Sequence, residues 1–412
     1  MNILIVSHYF WPENFYINNL ARGLHERGHQ VTVLAGIPNY PGGKFYPGYG
    51  IWRRRVEDYH GIKVFHVPLM PRGDGSKARL FLNYLTYVLS GCLLGPLWCR
   101  EPIDLILVFE NSPVSVGLPA LFLKKIRRIP VLFWVQDLWP ESLSATGAVR
   151  SEVLLNLVGR LVQLIYRGSD LILAQSRAFF PSIQKHGGEA EKIVYYPNSA
   201  DEFYQPVTVE AGAPERALLP RGFRVMFAGN IGAAQDFETI MAAMARLQEY
   251  SEIHLIVLGD GRIRPWAEGL AREQGLNGNV HFLGRHPPET MPRFFALADA
   301  LLVSLRQEPI FALTIPSKLQ AYLACGRPVI AALDGEGARV VQEAAAGLTG
   351  PAGDAEALAA NILTMFRQSK SQQRDMGLRG RAYFEAHFER EMLLNRLEAM
   401  MRGVQRILPD SQ

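Results

Sequence analysis

Short, wholly apolar strands alternating with amphipathic helices constrain this chain more than any other feature. Residues 2–7, NILIVS, are a run of branched side chains bounded by aromatics and Pro12. Over 14–28, Ile17, Leu20, Ala21 and Leu24 recur at three- and four-residue spacing, and Gly28 closes the helix. QVTVLAG follows as a second strand. Strand, helix and strand within about 35 residues form a βαβ unit, which demands a parallel sheet and a right-handed crossover. The rhythm continues through IKVFHVP, IDLILVF, PVLFWVQD, a helix over 151–167, LILAQS and KIVYYPNSA. Strands apolar at every position are those covered on both faces.

Residues 201–222 break the rhythm with Pro206, Pro214, Pro220 and Gly222 and read as a linker. A second series then runs FRVMFAGN, helix 235–249, IHLIVLGDG, helix 263–274, VHFLG, helix 288–297, ALLVSL, the stretch TIPSKLQAYLACGRPVIAA and AAGLTG, with helices over 354–368 and 371–405. With 412 residues, one core is too few. The expectation is two doubly wound α/β domains in series, over 1–200 and 223–384.

The formal net charge of +4 suits a phosphorylated ligand or an anionic surface and does not single out nucleic acid, which is not expected as a partner. Cys92, Cys99 and Cys325 have no zinc spacing, and an odd count argues against a disulfide framework, so a reducing cytoplasm is expected. MNILIVSHYFWPEN lacks a basic leader and reads as a strand rather than a signal peptide. Residues 80–99, LFLNYLTYVLSGCLLGPLWC, hold no charge and have the length of a membrane span. Their polar residues and the Gly91, Gly95, Pro96 sequence favour instead a broken helix pair, partly buried and partly touching the bilayer. Arg53, Arg54, Arg55, Arg72, Lys77 and Arg79 would support peripheral docking, or be ordinary solvated charges.

Ligands of open parallel sheets sit beyond the carboxyl ends of the strands. In FAGNIGAAQDFETI, Gly229, Asn230 and Gly232 open a loop before a helix, with Gln235 in its first turn; this is a phosphate cradle without a Walker lysine, or simply a helix start. Gly259 and Asp260 follow the next strand, Asp260 as ligand contact or helix cap. Arg285 exits a third strand and could meet a phosphate or a base, or be a surface arginine. Pro316, Ser317 and Lys318 begin the helix of SKLQAYLA, where a lysine reinforces the dipole's preference for an anion. In the earlier half, His8, Glu13 and Asn14 follow the first strand, and Gln136, Asp137, Trp139 and Glu141 follow PVLFWV. Aromatics beside carboxylates suit a sugar; Trp11 and Trp139 could equally fill space.

Together, FAGNIG, VLGDG, FLGR, ALADALLVSL and PSKLQAYLACGRPVIA resemble retaining glycosyltransferases of family 4, and YFWPENFYINNLARGLHERGHQVTVLAG with QDLWPES resembles the N-acetylfucosamine-type branch of bacterial O-antigen and capsule assembly. The resemblance implies the GT-B fold, two Rossmann-like domains around an interdomain cleft, with a C-terminal helix over about 385–412 rejoining the first domain. It implies a UDP-sugar donor, no other cofactor, no metal, and a polyprenyl-diphosphate-linked or saccharide acceptor, at the cytoplasmic face of the inner membrane. Donor contacts would fall on Gly229, Asn230, Gly232, Gln235, Gly259, Asp260, Arg285, Leu313, Pro316, Ser317, Lys318 and Ala321. Asp137 and Glu13 would be the catalytic candidates, and His8, Asn14, Gln136, Trp139 and Glu141 would face the acceptor.

The departures are specific. Aligned on ACG, the family's paired glutamates fall on Leu313 and Ala321, which cannot bind hydroxyls. The Gly-Gly loop of many relatives is PENF, the sugar-side histidine falls at Gln136 or Asp137, and the phosphate-side Arg/Lys pair is reduced. A variant donor site follows as an expectation, with Leu313 against an apolar sugar edge such as a 6-deoxy methyl. The alternatives are a non-catalytic nucleotide-sugar or partner-binding protein, and a sugar-nucleotide epimerase.

Overall fold

The computed structural model describes residues 1–145, 149 and 151–407, and the chain divides into two compact units. The first comprises Met1–Pro197 with the chain from Leu394 on; the second is Asn198–Leu393.

In the first unit the strands are β1 (Asn2–Ser7), β2 (Gln30–Gly36), β3 (Val56–Tyr59), β4 (Ile62–Val67), β5 (Leu105–Glu110), β6 (Val131–Val135), β7 (Leu171–Ala174) and β8 (Ile193–Tyr195). Among the described residues they form one sheet in the order β3-β4-β2-β1-β5-β6-β7-β8, parallel except for β3 on β4. The winding reverses between β1 and β5, so their carboxyl ends, at Ser7 and Glu110, border the crevice such sheets use for ligands. The second unit holds β9 (Phe223–Ala228), β10 (Ile253–Leu258), β11 (Val280–Gly284), β12 (Ala300–Ser304), β13 (Val329–Ala332) and β14 (Gly347–Gly350), all parallel in the order β11-β10-β9-β12-β13-β14. Here the reversal lies between β9 and β12. Side chains of β9 alternate between two apolar layers: Met226 joins Phe295, Leu319 and Tyr322, whereas Val225 and Phe227 join Phe237, Met241 and Leu358.

Several sequence expectations are corrected. Residues 77–98 are one helix, Lys77–Trp98, not a broken pair. Gly91 and Gly95 serve close packing: a Cβ on them would come within 2.8 Å of Pro119 and 3.1 Å of Leu34. Pro96 falls in the last turn, where the Cys99 amide still reaches Gly95 O at 2.9 Å. Arg72 is no flanking surface charge; its guanidinium turns in over Tyr9 and Tyr40. The 201–222 stretch is not free but lies on the second unit, where Val209 and Ala213 pack on Leu297 and Glu215 pairs with Arg293 at 2.7 Å. The last helical stretch is two helices, Lys370–His387 and Arg390–Ile407. Phe388 is buried at the break, and the Glu389 carboxylate caps the amides of Glu391 and Met392 at 2.8 and 2.6 Å. Strand β3 escaped sequence reading because it depends on a two-residue turn, His60-Gly61, with φ of 53° and 85°.

Candidate functional site

In the second unit, the loops after β9, β10 and β11 are tied to one another through their backbones. The Gly229 amide donates to Leu258 O at 2.9 Å, Ile231 N to Asp260 O at 2.9 Å, and Gly259 N to Gly284 O at 2.7 Å. This closeness requires glycine at 259: its φ is 134°, and a Cβ there would lie 1.9 Å from Gly229 O. Across the winding reversal, Ser304 Oγ donates to Gln235 O at 2.6 Å and Arg306 N to Ala234 O at 2.9 Å, anchoring the Gly232 loop to β12. The segment after Gly232 is a 3₁₀ turn, Ala233–Gln235, and the α-helix begins only at Phe237, later than its sequence suggests. Asp236 takes φ of 49° between them and accepts from Thr239 Oγ1 at 2.6 Å. Gln235 folds back, its Oε1 accepting the Gly232 amide at 3.2 Å. Asn230 is exposed at the loop tip.

The helix Ser317–Ala324 brings Lys318 to this loop. Its Nζ lies 3.5 Å from where a Cβ on Gly229 would stand and 3.8 Å from the centroid of Phe227. The stem reaches the surface, but the amine is buried and has no hydrogen-bond partner. Burial pulls its pKa from 10.5 down to about 7. Ser317 is exposed at the helix start after Pro316. Asp260 caps no helix: its Oδ1 accepts the Gly261 amide at 2.8 Å, and Oδ2 faces Arg285 Nε at 3.5 Å, with Arg285 largely exposed. Leu313 is half-buried after the short helix Pro309–Ala312, and Ala321 belongs to the apolar core beside Leu319 and Tyr322. The neighbouring Gln320 is fully buried. Its Nε2 donates to Asn198 O at 2.7 Å, and its Oε1 has no partner.

In the first unit, the residues after β1 form a buried polar network. Glu13 accepts the amides of Asn39 and Tyr40 at 2.7 and 2.6 Å through Oε1, while Oε2 is buried without a partner. Burial outweighs these bonds and pushes its pKa up to about 7. His8 Nε2 meets Asn83 Oδ1 at 2.9 Å, so this nitrogen carries the proton, and burial holds the ring neutral, its pKa lowered to about 3. Arg72 donates to the Tyr9 hydroxyl. His8 and Glu13 thus point inward, and Asn14 is exposed.

A carboxylate pair, Glu110 and Asp137, lies at the ends of β5 and β6. Glu110, completely buried, accepts the amides of Gln136 and Asp137 at 3.2 and 3.1 Å on Oε2 and that of Ser112 at 3.2 Å on Oε1. Burial, then the Asp137 charge, raise it well above the usual carboxylate range. Asp137 is itself raised by burial and accepts from Ser142 Oγ. Trp139 is buried. Glu141 is occupied by Ser182 and His186 at 2.8 and 3.1 Å; burial acts to raise it, but these bonds prevail and hold it below its ordinary value. Sequence reading missed Glu110, although its signal is visible in an apolar strand that ends on an acid. Arg72 and Asn83 gave no local signal, because only tertiary contacts bring them to His8, Tyr9 and Asn39. Among the described residues, no group of three or more His, Cys, Asp or Glu is placed to hold a metal ion.

Residues 222–368 match the family model for glycosyl transferases group 1, and residues 14–199 match the glycosyl transferase 4-like domain. WcaI of Escherichia coli strain K12, named for glycosyl transfer in colanic acid biosynthesis, is 24% identical over 79% of this chain and 82% of its own length. WbjE of Pseudomonas aeruginosa, named a glycosyltransferase, is 27% identical over 55% of this chain and 57% of its own. Among solved structures, sucrose-phosphate synthase from Thermosynechococcus elongatus superposes with a TM-score of 0.76 at 20% identity, covering 98% of this chain and 99% of that one. Anabaena HepE in complex with UDP superposes at 0.70 and 18% identity, covering 98% of this chain and all of that one.

Proposed function

The chain belongs to the family 4-type GT-B glycosyltransferases, and from that premise we propose that it moves a sugar from a nucleoside-diphosphate donor, UDP-linked, to a saccharide or lipid-linked acceptor during assembly of a bacterial surface polysaccharide. The observation that carries the donor half of this reading is Lys318: a desolvated, unpartnered amine beside the glycine-walled loop at the winding reversal of the second unit. A buried cation without a counter-ion is costly, and a diphosphate oxygen would repay it with a charge-assisted hydrogen bond. The Gly229, Ile231 and Gly232 amides are already engaged within the loop, so the further donors come from the helix start at Ser317. UDP in HepE and the colanic acid role named for WcaI support the same class of donor and product.

The acceptor half rests on the first unit, where Asn14, Gln136, Asp137 and Glu141 are the sequence-identified polar residues with exposed surface, Glu141 being held by Ser182 and His186. Asp137 orients the incoming hydroxyl, and the departing phosphate takes its proton, with the anomeric configuration retained and no metal. Glu110 holds the Gln136–Asp137 backbone in place. Leu313 offers an apolar wall where relatives offer a carboxylate, which favours an apolar sugar edge such as the methyl of a 6-deoxy sugar.

The test is a thermal-shift panel of UDP-, GDP- and dTDP-sugars, followed by a transfer assay with a lipid-linked acceptor. A stabilising shift specific to UDP and a transferred sugar are expected. The absence of family glutamates at Leu313 and Ala321 favours a second reading, a nucleotide-sugar binder without turnover; it would show the shift and no transfer, whereas an epimerase would change the sugar without acceptor.

A further inference from the structure

One face of the first unit is apolar where a protein in water is ordinarily polar. On the helix Lys77–Trp98 the outward positions are Phe81, Leu85, Leu89, Leu93 and Leu97, four residues apart throughout; Phe81 is 64%, Leu89 53% and Leu93 69% exposed. This stripe is about 24 Å long at 1.5 Å per residue. The helix Gly117–Arg127 packs alongside and adds exposed Phe122 and Ile126. Exposed apolar area on this scale marks an interaction surface.

The helix is long and apolar enough to cross a membrane, but its inner side is bound to the fold. Asn83 Nδ2 donates to Met70 O at 2.6 Å, its Oδ1 meets His8, and the Tyr87 hydroxyl donates to Ser7 O at 3.1 Å. A spanning position would strip these partners, so the helix lies flat with only its outer face available.

The charge around this face is mainly positive, with Asp74, which interacts with Arg79, as an acidic neighbour at its start. Lys77 and Arg79 stand at the start of the stripe, Arg100 just past its end, and Lys125 and Arg128 at the end of the neighbouring helix, all exposed. Neither helix contains an Asp or Glu. Glu101, next to Arg100, is held by Lys63 at 3.0 Å.

We propose that this face docks on the surface of an anionic lipid bilayer. Phe81 and the leucines enter the headgroup boundary while the surrounding cations meet lipid phosphates. A second copy of the chain fits less well, since two such faces would set cation against cation with no carboxylate on either helix to offset them. The proposal is independent of the donor: it concerns where the protein sits, not which sugar it moves.

The test is co-sedimentation of the full chain with vesicles of phosphatidylglycerol and phosphatidylcholine in equal parts, and with phosphatidylcholine alone. Binding is expected with the anionic vesicles, weakened by salt. The double variant Leu89→Gln/Leu93→Gln and the double variant Lys77→Ala/Arg79→Ala should each partition roughly tenfold less. All four sites are exposed, and unchanged melting temperatures would show that the fold is kept. No partition of the parent protein into anionic vesicles, or equal partition by the leucine variant, would overturn the proposal. So would light scattering that shows a dimer which Leu89→Gln/Leu93→Gln makes monomeric, assigning the face to a second copy.

Discussion

Lys318 and Glu13 both carry charge states set by burial rather than by residue type. Lys318 titrates near 7 in the folded chain against 10.5 unfolded. As pH falls from about 10.5 toward 7, the unfolded state gains a proton that the folded state resists, and stability declines. A bound diphosphate would lift that resistance. UDP binding between about pH 7 and 9 should therefore take up a proton, measurable by calorimetry in buffers of different ionisation enthalpy. Lys318→Met should abolish the uptake and weaken UDP by about 2 kcal/mol, roughly thirtyfold; unchanged affinity would remove Lys318 from the donor site. Glu13 has the opposite sign. Its unfolded value near 4.5 rises to about 7 on folding, so ionisation costs stability progressively across that window, fully above it and not at all below. Glu13→Gln keeps an oxygen for the Asn39 and Tyr40 amides and removes the charge. It should gain up to roughly 3 kcal/mol over the parent above pH 7 and nothing near pH 4.5, read from urea melts.

At the scale of elements, the site depends on loops that approach each other more closely than side chains permit. Gly259→Ala would place a methyl 1.9 Å from Gly229 O at a φ of 134°. It should destabilise the second unit by roughly 2 kcal/mol or more and weaken nucleotide binding with it, as read by melts with and without UDP. Sequence periodicity alone located the strands feeding these loops, because an apolar strand covered on both faces is a local signal. It also placed Gly229, Gly232, Ser317 and Lys318 at strand and helix ends. Besides β3 and the inward Arg72 and Asn83, three further features escaped it. The 3₁₀ turn at Ala233–Gln235 is stabilised from outside by Ser304 and Arg306. The unbroken helix Lys77–Trp98 owes its glycines to Pro119 and Leu34. Glu110 acquires its role from amides 26 and 27 residues away.

At the scale of the molecule, the chain returns from the second unit to complete the first. Leu394, Leu397 and Met401 of Arg390–Ile407 are buried, and His29 and Arg27 reach Glu398 and Asn395 at 3.1 and 2.7 Å. Leu397→Ala should cost the first unit roughly 2–5 kcal/mol while leaving the UDP-induced stabilisation of the second intact. Differential proteolysis of the two units would show it, and loss of the nucleotide response would contradict this division.

The amino-acid order by itself determined the βαβ rhythm, the division into two α/β series and the loops where a ligand could bind, since each is written in spacings of a few residues. Only the tertiary structure decided the protonation of Lys318 and Glu13, the inward turn of His8 and Arg72, and the apolar outer face of Lys77–Trp98. Desolvation and partner choice depend on groups distant in the chain, and no local pattern contains them.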